Sequence, residues 1–320
     1  MSSDRVSSDR VSGDRVPSDP VSETVAAFDC GTNTIKLLIG ALPDVAVRES
    51  RIVRLGQGVD ATGRLADEAL TRAFAAIDEY AVLVAAHPVS RMRFCATSAT
   101  RDSANAAEFA AGVHDRLGVW PEVLSGDEEA ALAYDGAVRN LRTPPAAPVL
   151  VVDIGGGSTE LILGDSSGPV ASQSMDMGSV RMHERYLTAD PPTRAQVAAC
   201  VADIDAHLDA CPVPVASAAT VVGVAGTALS ITAGVLDLPS YDKSVIDQSV
   251  IAVSGVHAFV DRLVAMPVSE RLEFGWMHPG RVDVLGAGGL ILSRVLRRCT
   301  VSSLVASEAD ILDGIAWSMV

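Results

Sequence analysis

The sequence predicts an α/β fold built twice, in two domains that face a common cleft. Three observations carry that reading. The segment Val149–Glu160 (VLVVDIGGGSTE) has an earlier version at Val25–Leu38 (VAAFDCGTNTIKLL). Aligning Asp29 with Asp153 places Gly31 on Gly155, Thr34 on Ser158, and the run Leu37–Ile39 on Leu161–Leu163. Strand and helix patterns alternate through both halves. The length of 320 residues also exceeds one comfortable core.

Each copy is an apolar strand ending in Asp, a tight turn of Gly, Ser, Thr and Asn, and an apolar return strand. After the first hairpin, Leu65–Ala86 has helical periodicity, with Leu70, Phe74, Ile77 and Ala81 on one face. Met92–Thr97 reads as a strand, Ala104–Leu117 as a helix and Val119–Leu124 as another strand. Ser125-Gly126-Asp127-Glu128 is a capping-box pattern that opens a helix to about Asn140. The Pro/Ala-rich stretch Leu141–Pro148 is a linker, and the second hairpin follows it. Thr193–Leu208 is helical; Thr220–Gly226 is a strand running into a helix. Val256–Met266, Gly286–Leu296 and Glu308–Met319 complete the helical pattern. The predicted organisation is a disordered tail over residues 1–22, domain I over 23–141 completed by the last helix (307–320), and domain II over 142–306. The tail repeats a D-R-V pattern three times and has too little apolar bulk to form a core.

Composition removes several function classes. The net charge of −15 opposes a general nucleic-acid binder, so no nucleic-acid partner is expected. No apolar run reaches the roughly 20 residues needed to span a bilayer, so no membrane partner is expected either. The five cysteines are odd in number and lack C-x-x-C spacing, which fits reduced thiols in a cytoplasmic protein. The six histidines are scattered, against a histidine metal site.

The repeated turns carry the chemistry. In Asp153–Glu160 the glycines let the backbone approach an anion closely, and Ser158 and Thr159 add hydroxyl donors. Asp153, at a strand end, suits an oxygen-only Mg²⁺ site, and Glu160 begins the return strand within reach of the same pocket. Asp29 holds the equivalent place in the first copy and is the second candidate metal ligand. No P-loop or dinucleotide motif is present. Gly226 and Thr227, where a strand meets a helix, form a third anion-binding turn. If Ser125 caps its helix, Glu128 is committed to the capping box and Glu129 is free to orient a water. The helix dipole there lowers a carboxylate pKa and works against a strong base. Arg101 and Arg281, in loops that look exposed, are cationic candidates for bidentate phosphate contacts. Lys36 interrupts an apolar return strand and points to the same cleft.

These pieces together resemble the exopolyphosphatase/guanosine pentaphosphate phosphohydrolase (Ppx/GppA) family of the actin-like ATPase superfamily, in its short two-domain form. The matching segments are Phe28–Ile39, Cys95–Phe109, Leu124–Tyr134, Val151–Leu163, Val222–Ser230, Met277–Leu292 and Ser307–Ala316. The resemblance implies a duplicated actin-like (ribonuclease H-like) fold and Mg²⁺-dependent release of terminal phosphate from inorganic polyphosphate, with Mn²⁺ as the substitute ion. Glu129 matches the water-activating glutamate, and Asp153 and Glu160 match metal and catalytic acids. Gly155, Gly156, Gly157, Ser158, Thr32, Asn33, Gly226 and Thr227 match phosphate-contacting turns. Ser98, Arg101 and Arg281 match substrate-binding positions. A homodimer and a role in the stringent response are further implications. Guanosine pentaphosphate hydrolysis, a sensor of guanosine tetra- or pentaphosphate, and a kinase of the same superfold stay open as alternatives. The acidic surface predicts a preference for short polyphosphate.

Overall fold

The computed structural model of the protein describes residues 23–101 and 103–320, with Ser98 described by its backbone only. The repeated tail and the Ser98 side chain lie outside the described residues. Within them the chain forms two mixed sheets. The first contains β1 (Thr24–Cys30), β2 (Thr34–Ala41), β3 (Asp44–Ile52), β4 (Val89–Ala96) and β5 (Glu122–Val123), in the order β3-β2-β1-β4-β5. The second contains β6 (Val149–Ile154), β7 (Thr159–Asp165), β8 (Gly168–Met175), β9 (Thr220–Val224), β10 (Val250–Ala252) and β11 (Ser303–Ala306), in the order β10-β11-β9-β6-β7-β8. Each half starts with an antiparallel three-strand meander, β1-β2-β3 or β6-β7-β8, then continues in parallel through β4 or β9.

The apolar runs of β1 and β6 are continuous because both faces of each strand are buried. On β1, Ala26, Phe28 and Cys30 face an outer core with the helices Asp67–Ala85 and Ala106–Leu117. Phe28 stacks on Phe94 there, with ring centroids 5.2 Å apart. On β6, Leu150, Val152 and Ile154 face the other outer core, with the helices Arg194–Ala210, Ala225–Val235, Val253–Ala265 and Leu285–Leu296. The opposite faces, Val25 and Ala27 of β1 and Val149 and Val151 of β6, meet in a central core. Two crossing helices, Gly126–Arg139 and Ile311–Trp317, fill that core between the sheets. This is a duplicated α/β architecture, with the same meander-then-parallel order in each half. The two halves share a middle layer, and the strand ends of both sheets open on one cleft.

Several elements differ from the sequence expectation. The predicted strand Val119–Leu124 shrinks to Glu122–Val123, because Pro121 has no N–H to donate and the strand lies at the sheet edge. The edge strands β3 and β8 and the helix Ser179–Tyr186 were not anticipated. The two strands are too polar to announce themselves, since the edges of the sheets face solvent, and the eight-residue helix buries only Ser179, Val180 and Met182. The closing helix is shorter than predicted and starts after Asp310, whose carboxylate caps it in a capping box with Asp313. Among the described residues no helix is long and apolar enough to cross a membrane.

Candidate active site

The two repeated turns fold alike and meet. In the first, the Gly31 N–H donates to the Thr34 carbonyl at 2.9 Å; in the second, Gly155 donates to the Ser158 carbonyl at 3.0 Å. Amides from outside hold the carbonyls of each turn. Val53 and Arg54 donate to Asn33 and Gly56 donates to Thr32, while Ser179 donates to Gly155 and Val180 and Arg181 donate to Gly156. Carbonyl oxygens would repel an anion, so their engagement elsewhere suits a phosphate-binding turn. The two turns touch at Gly156, where a Cβ would lie 3.0 Å from Thr32 Cβ and 3.3 Å from Asn33 Cβ. A side chain there would push the two copies apart by a few tenths of an ångström, and glycine avoids that. The third element is tied in by the Thr227 hydroxyl, which donates to the Ile154 carbonyl at 3.1 Å. Ala225, beside it, holds a left-handed φ of 58°, a conformation costing a non-glycine residue about 1 kcal/mol.

Between these elements lies a cleft of about 90 Å³. Its walls include Asp29, Thr32, Asn33, Glu129, Asp153, Gly155, Gly156, Ser158, Glu160, Gly226, Thr227 and Arg281, all singled out in the sequence. Gly157 instead faces a smaller neighbouring cavity with Gly56, Ala99 and Val180. Arg101 reaches the cleft through Glu129: its Nη1 donates to the Leu124 carbonyl at 2.8 Å and to Glu129 Oε2 at 3.3 Å. Neither arginine loop is as exposed as the sequence implied. Arg281 is half-buried, with its Nη1 donating to Ser230 Oγ at 3.2 Å and the Gly226 carbonyl at 3.4 Å. Thr97 and Ser179 also line the cleft and were missed. Thr97 follows directly on β4, the parallel neighbour of β1, so its position at a strand end was the available signal.

The capping reading of the acidic helix start holds. Ser125 Oγ accepts from the Glu128 N–H at 3.3 Å, and Glu128 Oε2 accepts from the Ser125 N–H at 3.0 Å. Glu129 is left to turn inward, where it is buried. Its predicted low pKa is corrected. Burial, with Asp29 and Asp153 nearby, pushes it up to about 7 against the opposing pull of Arg101. Desolvation and like charge outweigh the helix dipole here. Burial and Glu129 likewise push Glu160 up to about 8, while Ser158 and Ser174 moderate the shift. Asp153 is raised well above its usual range by burial and by Glu160. Asp29 is raised by burial, against the pull of Lys36, whose Nζ lies 3.0 Å from Asp29 Oδ2 and 2.7 Å from Asp310 Oδ2.

Four buried acids raised together make the cleft, without a cation to offset them, a source of instability. For a carboxylate whose folded pKa exceeds its unfolded value, the native state binds more protons, so stability falls as pH rises between the two values. For Glu160 that window runs from 4.5 to about 8. With a chelator present, Glu160→Gln is therefore expected to stabilise the protein at pH 8.5 by about 2 kcal/mol and to change little at pH 5. Thermal unfolding at the two pH values measures this, and parallel profiles for the variant and the parent protein would refute it.

Oxygen donors and one orphaned atom also bear on a cation. Asn33 Oδ1 is buried without a hydrogen-bond partner, so it awaits a donor such as water held by an ion or a ligand. Among the described residues no three His, Cys, Asp or Glu side chains converge as a metal cage. A hard divalent ion taking one or two carboxylates, with water and phosphate oxygens completing its shell, fits this donor set.

Comparison with known proteins places most of the chain beside a phosphatase family. The Ppx/GppA phosphatase family model matches residues 38–320. Exopolyphosphatase 2 of Mycobacterium tuberculosis is 44% identical over 315 residues, covering 92% of this chain and 98% of that protein. Exopolyphosphatase 1 of Mycobacterium bovis is 27% identical over 290 residues, covering 88% and 83%. Among solved structures, an exopolyphosphatase-like protein at 44% identity superposes with a TM-score of 0.90, covering 92% of this chain and 98% of that one. The Aquifex aeolicus member of the Ppx/GppA family, 27% identical, gives 0.79 over 93% and 97%. A family model that spans residues 38–320 and a relative 44% identical over nearly its whole length show that the chain belongs to the Ppx/GppA phosphatase family.

Proposed function

We propose that the protein is an exopolyphosphatase that hydrolyses the terminal phosphoanhydride bond of inorganic polyphosphate. The observation that carries this is Glu129, a buried carboxylate that lines the same cleft as the two glycine turns and whose pKa burial pushes up to about 7. Phosphoryl transfer leaves a protein chiefly positioning and charge neutralisation to do. A base facing the phosphate site directs that machinery to water. Glu129 accepts a proton from water as its oxygen bonds to the terminal phosphorus in line. The P–O bond to the rest of the chain breaks, and the bridging oxygen leaves on the shortened polyphosphate. Thr32, Asn33, Gly155, Gly156, Ser158 and Thr227 hold the terminal phosphate, and Arg281 sits over the next group. Arg101 orients Glu129. Asp153 and Glu160 would hold Mg²⁺, which supplies charge neutralisation at the phosphate oxygens when bound.

The decisive assay is orthophosphate release from polyphosphates of defined length, run beside guanosine pentaphosphate and ATP. Highest kcat/KM on polyphosphate is the expected result; tight ligand binding without phosphate release would replace the enzyme with a sensor. The net charge of −15 acts on a long polyanion beyond the cleft. Shorter chains should therefore be preferred at low salt, and the preference should weaken as salt screens the field. A steady rise in activity with chain length into the hundreds contradicts it.

One observation favours guanosine pentaphosphate as a second substrate. Beside the cleft lies a cavity of about 450 Å³ that shares Lys36, Gly226 and Arg281 with it and presents Tyr241, Trp276 and Met277. A nucleoside fits a cavity of this size and character. The assay above separates the two substrates directly.

A further inference from the structure

We infer that Lys36 makes the duplicated cleft asymmetric, holding Asp29 out of metal coordination so that the divalent ion is carried by the Asp153–Glu160 hairpin alone. This rests on reading the cleft as a metal-assisted phosphohydrolase site. It narrows the metal role that the sequence assigned to Asp29 and Asp153 together.

The two hairpins are matched residue for residue, and their registers reveal one inversion of charge. In β1–β2, Asp29 stands opposite Lys36; in β6–β7, Asp153 stands opposite Glu160. Each aspartate lies two residues before the glycine that opens its turn. The same place beside the aspartate is thus a cation in one copy and an acid in the other. Lys36 is also pinned from behind. Its Nζ donates to Asp310 Oδ2 at 2.7 Å, while Asp310 Oδ1 accepts from the Leu312 N–H at 3.0 Å as the cap of the closing helix. The ammonium therefore cannot leave Asp29 without giving up a partner fixed by the fold. A divalent ion approaching Asp29 would meet that ammonium in place of a second carboxylate.

The second hairpin is arranged the opposite way. Among the described residues no Lys, Arg or His forms an ion pair with Asp153 or Glu160, and Lys36 acts on Asp153 only from beyond ion-pair distance; Glu160 receives neutral donors, Ser174 Oγ at 2.7 Å and the Ser158 hydroxyl. Two facing carboxylates with hydroxyls around them are the donor set for a hard cation that keeps part of its water. Lys36 leaves the first hairpin to phosphate, whose oxygens are attracted by the charge that excludes the metal.

The test is a Mn²⁺ titration of the full chain without substrate, followed through the electron paramagnetic resonance signal of the free ion, with each variant's fold checked by thermal unfolding. The parent protein should bind a single Mn²⁺. Asp153→Asn should weaken it by about tenfold or more, and Asp29→Asn should leave it within about twofold. Lys36→Gln should admit a second Mn²⁺, which Asp29→Asn on that background removes again. A loss on Asp29→Asn in the parent protein comparable to that on Asp153→Asn would overturn the role of Lys36, as would a Lys36→Gln variant that still binds only one ion. If the parent protein binds no Mn²⁺, the metal reading of the cleft fails and this inference fails with it.

Discussion

Replacing Glu129 with glutamine or alanine is expected to lower phosphate release from polyphosphate by roughly 10³-fold, with the melting temperature unchanged or raised. Glutamine keeps the shape of the side chain and a contact for Arg101, which lies 3.3 Å from the carboxylate. It cannot take a proton from water. Because Glu129 is buried among Asp29 and Asp153, losing its charge relieves repulsion, so a fall in activity cannot be ascribed to unfolding. The pH profile supplies a second readout. Glu129 acts only when ionised, so kcat/KM of the parent protein should drop about tenfold per unit below pH ~7, following the free enzyme's carboxylate. The glutamine variant should lose that limb. Near-normal turnover in either variant, or an unaltered acid limb, would remove Glu129 from the mechanism.

Gly314→Ala should destabilise the fold by about 3 kcal/mol, the opposite of what helix propensity alone prescribes. In an unconstrained helix the change gains up to about 1 kcal/mol. Here a methyl on Gly314 would overlap the Leu132 carbonyl oxygen and come within 2.7 Å of its carbon. From the other helix, a methyl on Gly136 would come within 2.7 Å of the Gly314 nitrogen and overlap the Asp310 carbonyl oxygen. The clash is with backbone on both sides, so no side chain can rotate away to relieve it. The crossing lies in the central core between the sheets, where separating the helices would also disturb Asp310 and, through it, Lys36. Gly286→Ala, in the helix Leu285–Leu296, is the control. Its Cβ would meet Arg271 at an ordinary 3.5 Å, and it should be neutral or slightly stabilising. Chemical denaturation of both variants decides the matter, and equal stability for the two would refute the packing account.

Much of the fold was legible because both faces of β1 and β6 are buried. A strand buried on both sides must be apolar throughout, and a hydrophobic run ending in Asp and a glycine turn is visible without an alignment. The helix Gly126–Arg139 was legible for a different reason: its capping box is a local bond between residues three apart. The polar edge strands β3 and β8 were not. Half of each faces solvent, so neither hydrophobic run nor strict alternation marks them.

The site divides along the same line. The turns at Gly31 and Gly155, and the freeing of Glu129 by the capping of Ser125 and Glu128, follow from local chain geometry. Other features depend on residues far apart in the chain. Lys36 meets Asp310 across 274 positions, and Arg101 meets Glu129 across a helix and a strand. The pKa of Glu129 was expected to fall with the helix dipole and instead rises, because burial and other acids act through space. A duplicated α/β chain with two glycine turns and a glutamate left free by its neighbours' capping box could be read from residue order, since these are properties of short segments. Which charges share the cleft, and in which direction each pKa moves, emerged with the packing of distant segments, because desolvation and Coulomb interaction depend on distance in space and not on order along the chain.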